Sequence, residues 1–153
     1  MPRSALAASI SSSYEACTNL LHRFYYLLDA NRYDDMLLLL EPHAVWRRQG
    51  GVQQGRAQHL TALNARSTTQ YTRHALSNGF IDIISDDGLE LDYVAYITAY
   101  KFDNGQPGKP PFTLSMPGRL LLLKAKLAQQ PTGDWLIREL THEHEFELTV
   151  ATS

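Results

Sequence analysis

Cysteine, long apolar runs and clustered basic residues are the scarcest features of this 153-residue chain. Cys17 is its single cysteine, so no intrachain disulfide can form, which fits a reducing compartment such as the cytoplasm. The leucine runs Leu37–Leu40 and Leu120–Leu123 are far shorter than the roughly 20 residues that cross a bilayer. We therefore expect a cytoplasmic protein without a membrane partner.

The chain also lacks the features of several common binding sites. It carries no run of Lys or Arg, and its formal net charge is −2 with His neutral, so nucleic acid is not an expected partner. It contains no Gly-rich phosphate loop, no Cys/His zinc pattern and no Gly-x-Ser-x-Gly elbow. We therefore expect no bound cofactor.

What remains is the composition of an ordinary globular protein, with 44% apolar and 20% charged residues. The length corresponds to one domain that can bury a core without disulfides or metals. The Ala/Ser-rich beginning of the chain predicts a flexible tail over residues 1–12, and a single domain follows over 13–150.

A long amphipathic helix is predicted at the beginning of this domain. Ser12, with Glu15 three residues later, matches a capping box, which predicts that the helix begins there. The helix should end at Ala30-Asn31, immediately after Asp29. Its apolar face is formed by residues at helical spacing, which are Cys17, Leu20, Leu21, Phe24, Leu27 and Leu28.

Two short helices and several strands follow. The helices are predicted over about Tyr33–Leu40 and Arg56–Ser67, with a strand over Ala44–Arg48 between them and a break at Gly50-Gly51. Turn residues separate four further β-segments, which are Thr72–Ile84, Leu89–Phe102, Phe112–Ala128 and Trp135–Val150. This order predicts an α+β fold with three helices, in which a curved antiparallel sheet wraps around the long helix and leaves a pocket open at one end.

Four stretches of the chain carry a family resemblance, namely Leu27–Met36, Glu41–Trp46, Arg73–Asn78 and Gly133–Arg138. Together they resemble the nuclear transport factor 2-like superfamily, in particular its SnoaL-like polyketide-cyclase and scytalone-dehydratase-like branch. The resemblance extends over about Tyr14–Phe146 and implies a cone-shaped, cystatin-like roll. It does not fix an activity, because this superfamily contains enzymes, ligand binders and inert subunits.

Asp29 and His74 are the candidate catalytic residues. A carboxylate and an imidazole from two distant segments could meet in one pocket and transfer a proton. The resemblance implies that Asp29 orients His74 and fixes its tautomer, while His74 acts as general acid/base on a cyclic substrate. The structural alternative is that Asp29 caps the turn into the second helix and His74 is a satisfied, half-buried strand residue.

Four other side chains are candidate ligand contacts. Tyr25, Trp46 and Tyr93 could line an aromatic ligand site, since their rings combine a large apolar surface with a polar group. Arg48 stands where the resemblance implies a pocket Tyr, and it would favour an anionic ligand if it points inward. The alternatives are core packing for the three aromatic residues and a solvated strand end for Arg48.

Other polar residues of the predicted sheet receive a structural interpretation. His142 and His144 point to the same side of the last strand, and such a pair can bind a transition metal. Alternating polar residues on a final strand more often form its solvated face, so we predict no metal site. The inward face of the β-segment around Tyr93 lacks the second His that the resemblance implies, so we do not expect the dehydratase branch's own substrate.

Three functions remain open at this point. The first is a cofactor-independent dehydratase, isomerase or cyclase that binds a small cyclic or aromatic molecule. The second is a structural subunit, because the same stretches are similar to the β-subunit of aromatic-ring-hydroxylating dioxygenases, whose iron chemistry belongs to a larger partner. The third is a ligand binder without catalysis.

The expected assembly is a homodimer, with a trimer as the alternative. Members of the superfamily usually pair through the outer face of the sheet. We assign to that face one apolar set of alternating residues, which are Leu121, Leu123, Ala125 and Leu127.

Overall fold

The structure, a computed structural model, describes residues 3–115 and 117–147 and confirms the predicted α+β class. Within these ranges the helices are α1 (Arg3–Asp29), α2 (Tyr33–Leu37) and α3 (Gly55–Asn64). The strands are β1 (Leu40–Arg48), β2 (Gly51–Gln54), β3 (Tyr71–Ile84), β4 (Glu90–Phe102), β5 (Arg119–Gln129) and β6 (Trp135–Glu147). The part of the last predicted strand beyond Glu147 lies outside the described residues.

Helix α1 begins earlier than predicted and ends where predicted. It starts at Arg3, so the Ser12 capping pattern lies inside the helix; Ala, the strongest helix former, is frequent in the preceding segment. The chain leaves the helix through Asn31, whose φ of 55° is left-handed. The N–H of Arg32 then donates to the carbonyl oxygen of Leu27 at 2.9 Å, which satisfies one of the last helical carbonyls.

The six described strands form one sheet in the order β2-β1-β6-β5-β4-β3. Strands joined directly in sequence pair antiparallel, whereas β1 pairs parallel with β6, with Trp46 opposite Leu140. Strand β2 is an addition to the predicted elements. Gly50 does not merely end β1, because its φ of 95° permits a tight turn and β2 returns antiparallel along β1.

A bulge in β3 contributes to the bend of the sheet. The pairing of β3 with β4 shifts between Ser77 and Phe80, and Asn78 at this point has a left-handed φ of 55°. Gly79 completes the bulge beside Tyr93, whose hydroxyl would lie 2.0 Å from a Cβ atom added to this glycine. Glycine is therefore required here because the tyrosine ring occupies the space of a side chain.

The core lies between α1 and the inward face of the sheet. Cys17, Leu21 and Phe24 are completely buried on α1. The assignment of one β5 face to the outer surface is wrong, because Leu121, Leu123, Ala125 and Leu127 are all buried in this core. The opposite face of β5 carries Lys124 and Lys126, which pair with Glu143 and Asp92 on the neighbouring strands.

The segment before β5 is not part of a strand, although Phe112–Ala128 is predicted as one. β5 begins at Arg119. Phe112 instead packs against the sheet, with its ring centroid 4.4 Å from that of Phe102 and 4.9 Å from that of Tyr71.

Among the described residues, no helix combines the length and apolar character needed to cross a bilayer.

Candidate active site

The side chains of Asp29 and His74 are in direct contact. Asp29 Oδ1 lies 2.7 Å from His74 Nδ1, and Asp29 Oδ2 accepts the backbone N–H of His74 at 2.7 Å. The hydroxyl of Thr72 donates a third hydrogen bond to Oδ1 at 2.9 Å. The exposed fraction is only 6% for the Asp29 side chain and 15% for that of His74. The carboxylate is therefore held in one orientation by three donors.

Local structure explains why these residues meet. Asp29 is the last residue of α1, and the turn that follows it leaves its side chain facing the beginning of β3. Thr72 and His74 lie two positions apart on β3, so both side chains point to the same face of the strand. Arg66, which follows α3, donates to the Thr72 hydroxyl at 3.2 Å and extends the hydrogen-bond network beyond Asp29.

This geometry determines the tautomer of His74. An ionised carboxylate can only accept hydrogen bonds, so Nδ1 of His74 carries the proton that Asp29 accepts. Nε2 of the neutral imidazole then has an unshared electron pair. Within the described part of the chain, Nε2 has no hydrogen-bond partner. It is the atom that could take a proton from a ligand.

His74 lines a cavity of about 430 Å³, which we call the inner cavity. This volume lies within the range of small-molecule sites. Apolar contacts come from α1 and the sheet, through Leu28, Ala99 and Leu121. The other lining residues are Trp46, Arg48, Gln49, Gly50, Gln53, Ala62, Ala65, Arg66, Arg119, His142 and His144. The inner cavity thus combines apolar side chains with polar and basic ones.

Asp29 and His74 also border a second cavity of about 330 Å³, which contains His22, Tyr26 and Arg73. The exposed fraction of Tyr26 is 67%, so this cavity lies at the protein surface. The inner cavity is the better candidate site because it joins His74 to the other predicted ligand contacts on β1.

A second imidazole lies beside this pair. His142 Nε2 is 2.6 Å from the hydroxyl oxygen of Tyr25, and the ring centroids of Tyr25 and His74 are 5.4 Å apart. Burial lowers the pKa of His142 to about 3, with smaller contributions from the charges of His74, Arg48 and His144. Burial, together with the charge of Asp29, raises the pKa of Tyr25 well above its usual value. Both groups are therefore neutral near pH 7.

Sequence reasoning missed His142 because it assigned alternate polar residues of the last strand to a solvated face. The alternation of side chains along a strand shows which residues share a face, but it does not show which face is turned toward the core. The hydrogen bond between the Tyr25 hydroxyl and Nε2 can run in either direction; with the hydroxyl as donor, the neutral His142 carries its proton on Nδ1. In that tautomer the Nδ1–H group is available to a ligand in the inner cavity, which His142 lines.

The structure brings three of the four predicted ligand contacts to this region and separates the fourth. Trp46 and Arg48 line the inner cavity, and Tyr25 lies behind His142 and His74. Tyr93 is buried elsewhere on the inward face of β4, where its hydroxyl is 3.0 Å from Thr18 Oγ1 and its ring stacks on that of Tyr14. The core-packing alternative therefore applies to Tyr93.

Arg48 points into the protein rather than away from it. Its guanidinium carbon lies 4.6 Å from the ring centroid of Trp46, and its Nε donates to Gln53 Oε1 at 3.1 Å. Burial, assisted by the charge of Arg66, lowers the pKa of Arg48.

Among residues 3–115 and 117–147, no group of three or more His, Cys, Asp or Glu side chains is arranged to hold a metal ion.

The fold and this cavity define the class of protein: a nuclear transport factor 2-like, cystatin-like roll. The chain belongs to the SnoaL-like domain family, whose model matches residues 9–141. The resemblance predicted from the four sequence stretches is thereby confirmed. Comparison with curated proteins gave no significant match.

Three solved structures illustrate the similarity of the fold. A protein from Novosphingobium aromaticivorans, described provisionally as a scytalone dehydratase, has a TM-score of 0.78 at 15% identity, with 96% of this chain and 93% of that chain covered. A protein from Catenulispora acidiphila in complex with S-DNPA has a TM-score of 0.71 at 17% identity, with 88% and 95% covered. An NTF2-like protein with a cystatin-like fold, also from N. aromaticivorans, has a TM-score of 0.71 at 13% identity, with 92% and 87% covered.

Proposed function

We propose that this protein is a cofactor-independent acid/base catalyst that binds a small cyclic or aromatic molecule in the inner cavity. One observation carries the proposal. The His74 imidazole lines the cavity, and its Nδ1 lies 2.7 Å from Oδ1 of the buried Asp29 carboxylate. This arrangement leaves one ring nitrogen of His74 for a ligand and supplies a negative charge that stabilises the imidazolium.

The proposed reaction begins at a C–H bond next to a ring carbonyl. His74 Nε2 takes the proton, and the electron pair of that bond moves toward the carbonyl oxygen to form an enolate. Asp29 remains ionised and stabilises the protonated imidazole. In a dehydration the carbonyl re-forms and the electron pair makes a C=C bond that expels a hydroxyl group from the next ring carbon; this group takes the proton from His74 and leaves as water. In an isomerisation the enolate is conjugated with a neighbouring C=C bond, and His74 returns the proton to the far carbon of that bond.

His142 has the complementary role in this proposal. Its neutral imidazole cannot compete with His74 for the substrate proton, because its pKa is lowered to about 3. Its Nδ1–H can instead donate a hydrogen bond to the substrate carbonyl oxygen as negative charge develops there. This role uses the tautomer in which the Tyr25 hydroxyl donates to Nε2 across the 2.6 Å contact.

The names of two similar structures are consistent with this class of ligand. One relative was solved with the small molecule S-DNPA, and another is described provisionally as a scytalone dehydratase. Neither name identifies the substrate of the present chain. Support for the proposal therefore rests on the side chains of the cavity.

Deuterium exchange tests the proposal without knowledge of the natural substrate. A panel of fused-ring ketones, including tetralones and chromanones, is incubated with the full chain in D₂O, and loss of the proton next to the carbonyl is followed by ¹H NMR. We expect the protein to accelerate exchange for members of the panel, and His74→Asn to lower the rate by roughly 10²–10⁴. The exposed residue His43 supplies a matched control, His43→Asn, that should leave exchange unchanged.

Two outcomes contradict the proposal. Exchange that is equally fast with wild type and folded His74→Asn would remove His74 from the chemistry. Absence of exchange across the panel, together with co-purification of a larger iron–sulfur subunit, would favour the structural β-subunit hypothesis, in which the pair of Asp29 and His74 only stabilises the fold.

A further inference from the structure

The lining of the inner cavity carries more positive charge than the proposed proton transfer requires. Three arginines and three histidines line the inner cavity, whereas none of its lining residues is Asp or Glu. The basic residues are Arg48, Arg66, Arg119, His74, His142 and His144. Arg119, at the beginning of β5, has a carboxylate 3.7 Å away on Glu147. Arg48 and Arg66 form no ion pair with a carboxylate among the described residues.

Arg66 contributes charge but no available donor. Its Nη1 donates to the carbonyl oxygen of Leu28 at 3.4 Å and to the hydroxyl of Tyr33 at 3.1 Å. Its Nη2 donates to Thr72 at 3.2 Å and, with the Gln70 carboxamide oriented so that its oxygen faces the guanidinium, to Gln70 at 3.1 Å. Nε donates to the same Gln70 oxygen at 2.6 Å. All five N–H groups of this guanidinium are therefore used within the protein.

In contrast to Arg66, Arg48 has N–H donors that are not used within the described part of the protein. Its Nε donates to Gln53, but its two terminal nitrogens have no hydrogen-bond partner among the described residues. None of the ion pairs formed by those residues involves Arg48. Its neighbour Arg47, on the other face of β1, has a counter-ion, because its Nη1 lies 2.5 Å from Glu139 Oε1. A half-buried guanidinium without a counter-ion is costly unless something else supplies the negative charge.

The surroundings of Arg48 are suited to a planar anion. Trp46 stacks against one side of the guanidinium and holds it in the cavity wall. The two free terminal nitrogens form a fork that matches the two oxygens of a carboxylate. Leu28, Ala99 and Leu121 line the same cavity as Arg48 and His74, so one cavity offers apolar contacts for a ring, a guanidinium for an anion and the reactive imidazole.

We propose that Arg48 binds a carboxylate group of the ligand, so that the protein acts on cyclic or aromatic carboxylic acids rather than on neutral rings. This inference rests on the proposed function for the identity of the site, but the recognition of the anion does not require catalysis. Arg66 adds positive charge, and Gln53 orients the guanidinium. The carboxylate fixes one end of the ligand and places its ring toward Nε2 of His74.

Matched ligand pairs test this inference by isothermal titration calorimetry. Each pair consists of a ring carboxylate and its neutral carboxamide, for example naphthoate and naphthamide, with further pairs of other ring sizes. We expect the full chain to bind the carboxylate of at least one pair roughly tenfold more tightly, the effect typical of a charge-assisted hydrogen-bonded contact. Arg48→Gln should abolish this preference, and Arg48→Lys, which keeps the charge but not the fork, should reduce it.

The controls separate this inference from the catalytic proposal. Arg47→Gln removes a neighbouring charge on the opposite face of β1 and should retain the preference. His74→Asn leaves the guanidinium fork in place, so the carboxylate of a pair should still bind more tightly than the carboxamide even if both affinities change. Circular dichroism establishes that each variant is folded. The inference is overturned if no pair shows a carboxylate preference, including the case in which nothing binds, or if the preference survives in both folded Arg48 variants.

Discussion

His74 meets Asp29 twice: its ring Nδ1 lies 2.7 Å from one carboxylate oxygen, and its backbone N–H lies 2.7 Å from the other. The backbone contact fixes the carboxylate relative to β3, and the ring contact then fixes the imidazole relative to the carboxylate. The last residue of α1 and the third strand are thereby joined at the wall of the inner cavity.

Replacing Asp29 with Asn should disturb both the stability and the tautomer of His74. The amide offers one acceptor oxygen in place of two and directs its NH₂ group at a donor. We expect a loss of about 1–3 kcal/mol in the free energy of unfolding, measured by urea denaturation, and a His74 ring that favours the proton on Nε2 in ¹⁵N NMR spectra. The exposed Asp34→Asn serves as the control and should change neither quantity. An unchanged tautomer would contradict the assigned role of Asp29.

The buried His142 should make the protein less stable at acidic pH. The usual pKa of His in an unfolded chain is about 6.5, whereas burial lowers the pKa of His142 to about 3 in the folded state. Between these values the unfolded chain binds a proton that the folded chain does not, so the free energy of unfolding decreases as pH falls through this interval. Burial also lowers the pKa of His59, which acts in the same direction.

Urea denaturation at a series of pH values between about 7 and 4 measures this effect. His142→Gln, which can still hydrogen-bond to Tyr25, should show a shallower decrease than the wild type. His43→Gln, at an exposed position, should keep the wild-type slope. Equal slopes for the wild type and His142→Gln would mean that the buried imidazole is not the group responsible.

Gly79→Ala should destabilise the bulge of β3. The added Cβ atom would lie 2.0 Å from the Tyr93 hydroxyl oxygen and 2.8 Å from the adjacent ring carbon. We expect a loss of about 1–3 kcal/mol, as for other overpacked sites. The control is Gly118→Ala, whose nearest contact of 3.7 Å, to the carbonyl oxygen of Ala99, is ordinary. In the background of Tyr93→Leu the cost of Gly79→Ala should decrease; strictly additive effects would show that the ring is not the obstacle.

Opposite faces of β5 should respond differently to truncation. Leu123 is completely buried in the core, so Leu123→Ala should cost about 2–5 kcal/mol in the free energy of unfolding. Leu122 points to the other face and is only partly buried, so Leu122→Ala should cost clearly less. Thermal and urea denaturation of the two variants provide the comparison. A larger effect at Leu122 would reverse the assignment of the faces.

The homodimer stays a prediction, but the surface first assigned to it is excluded. The alternating set that includes Leu121 and Leu123 faces α1 in the core. Four consecutive leucines, Leu120–Leu123, conceal the period of two that normally identifies the inward face of a strand. Lys124 and Lys126 indicate which face of the strand is solvated, because two lysines at alternating positions more often lie on the solvated face.

Much of the scaffold was accessible from local sequence features. The end of α1 after Asp29, the turns between the long strands and the inward face of β4 depend on spacing and turn residues that any reader of the chain can identify. Strand β2 was not predicted, because four residues are too few for a reliable alternation. The segment beginning at Phe112 was misjudged, since its aromatic residues pack as a loop against Tyr71 and Phe102.

The candidate site shows the same division. Asp29 and His74 were identified from the sequence through a family resemblance. Trp46 was suggested by its aromatic ring, and Arg48 by standing where the resemblance implies a pocket Tyr. The hydrogen bond between His142 and Tyr25 was not identified, because the two residues are 117 positions apart and neither belongs to a local motif. Tyr93, the fourth predicted ligand contact, lies apart from the inner cavity, because an inward direction on a strand does not specify the position along it.

Residue order by itself determined the elements of this protein, since helical periodicity, strand alternation and turn residues act over a few neighbouring positions. Only the tertiary structure decided which side chains share a cavity, because the bending of the sheet around α1 sets distances between residues far apart in the chain. The same bending decided that Arg48 faces the cavity and Arg47 faces away from it. Charge and hydrogen-bond partners depend on these long-range distances, and so does the chemistry that the site can perform.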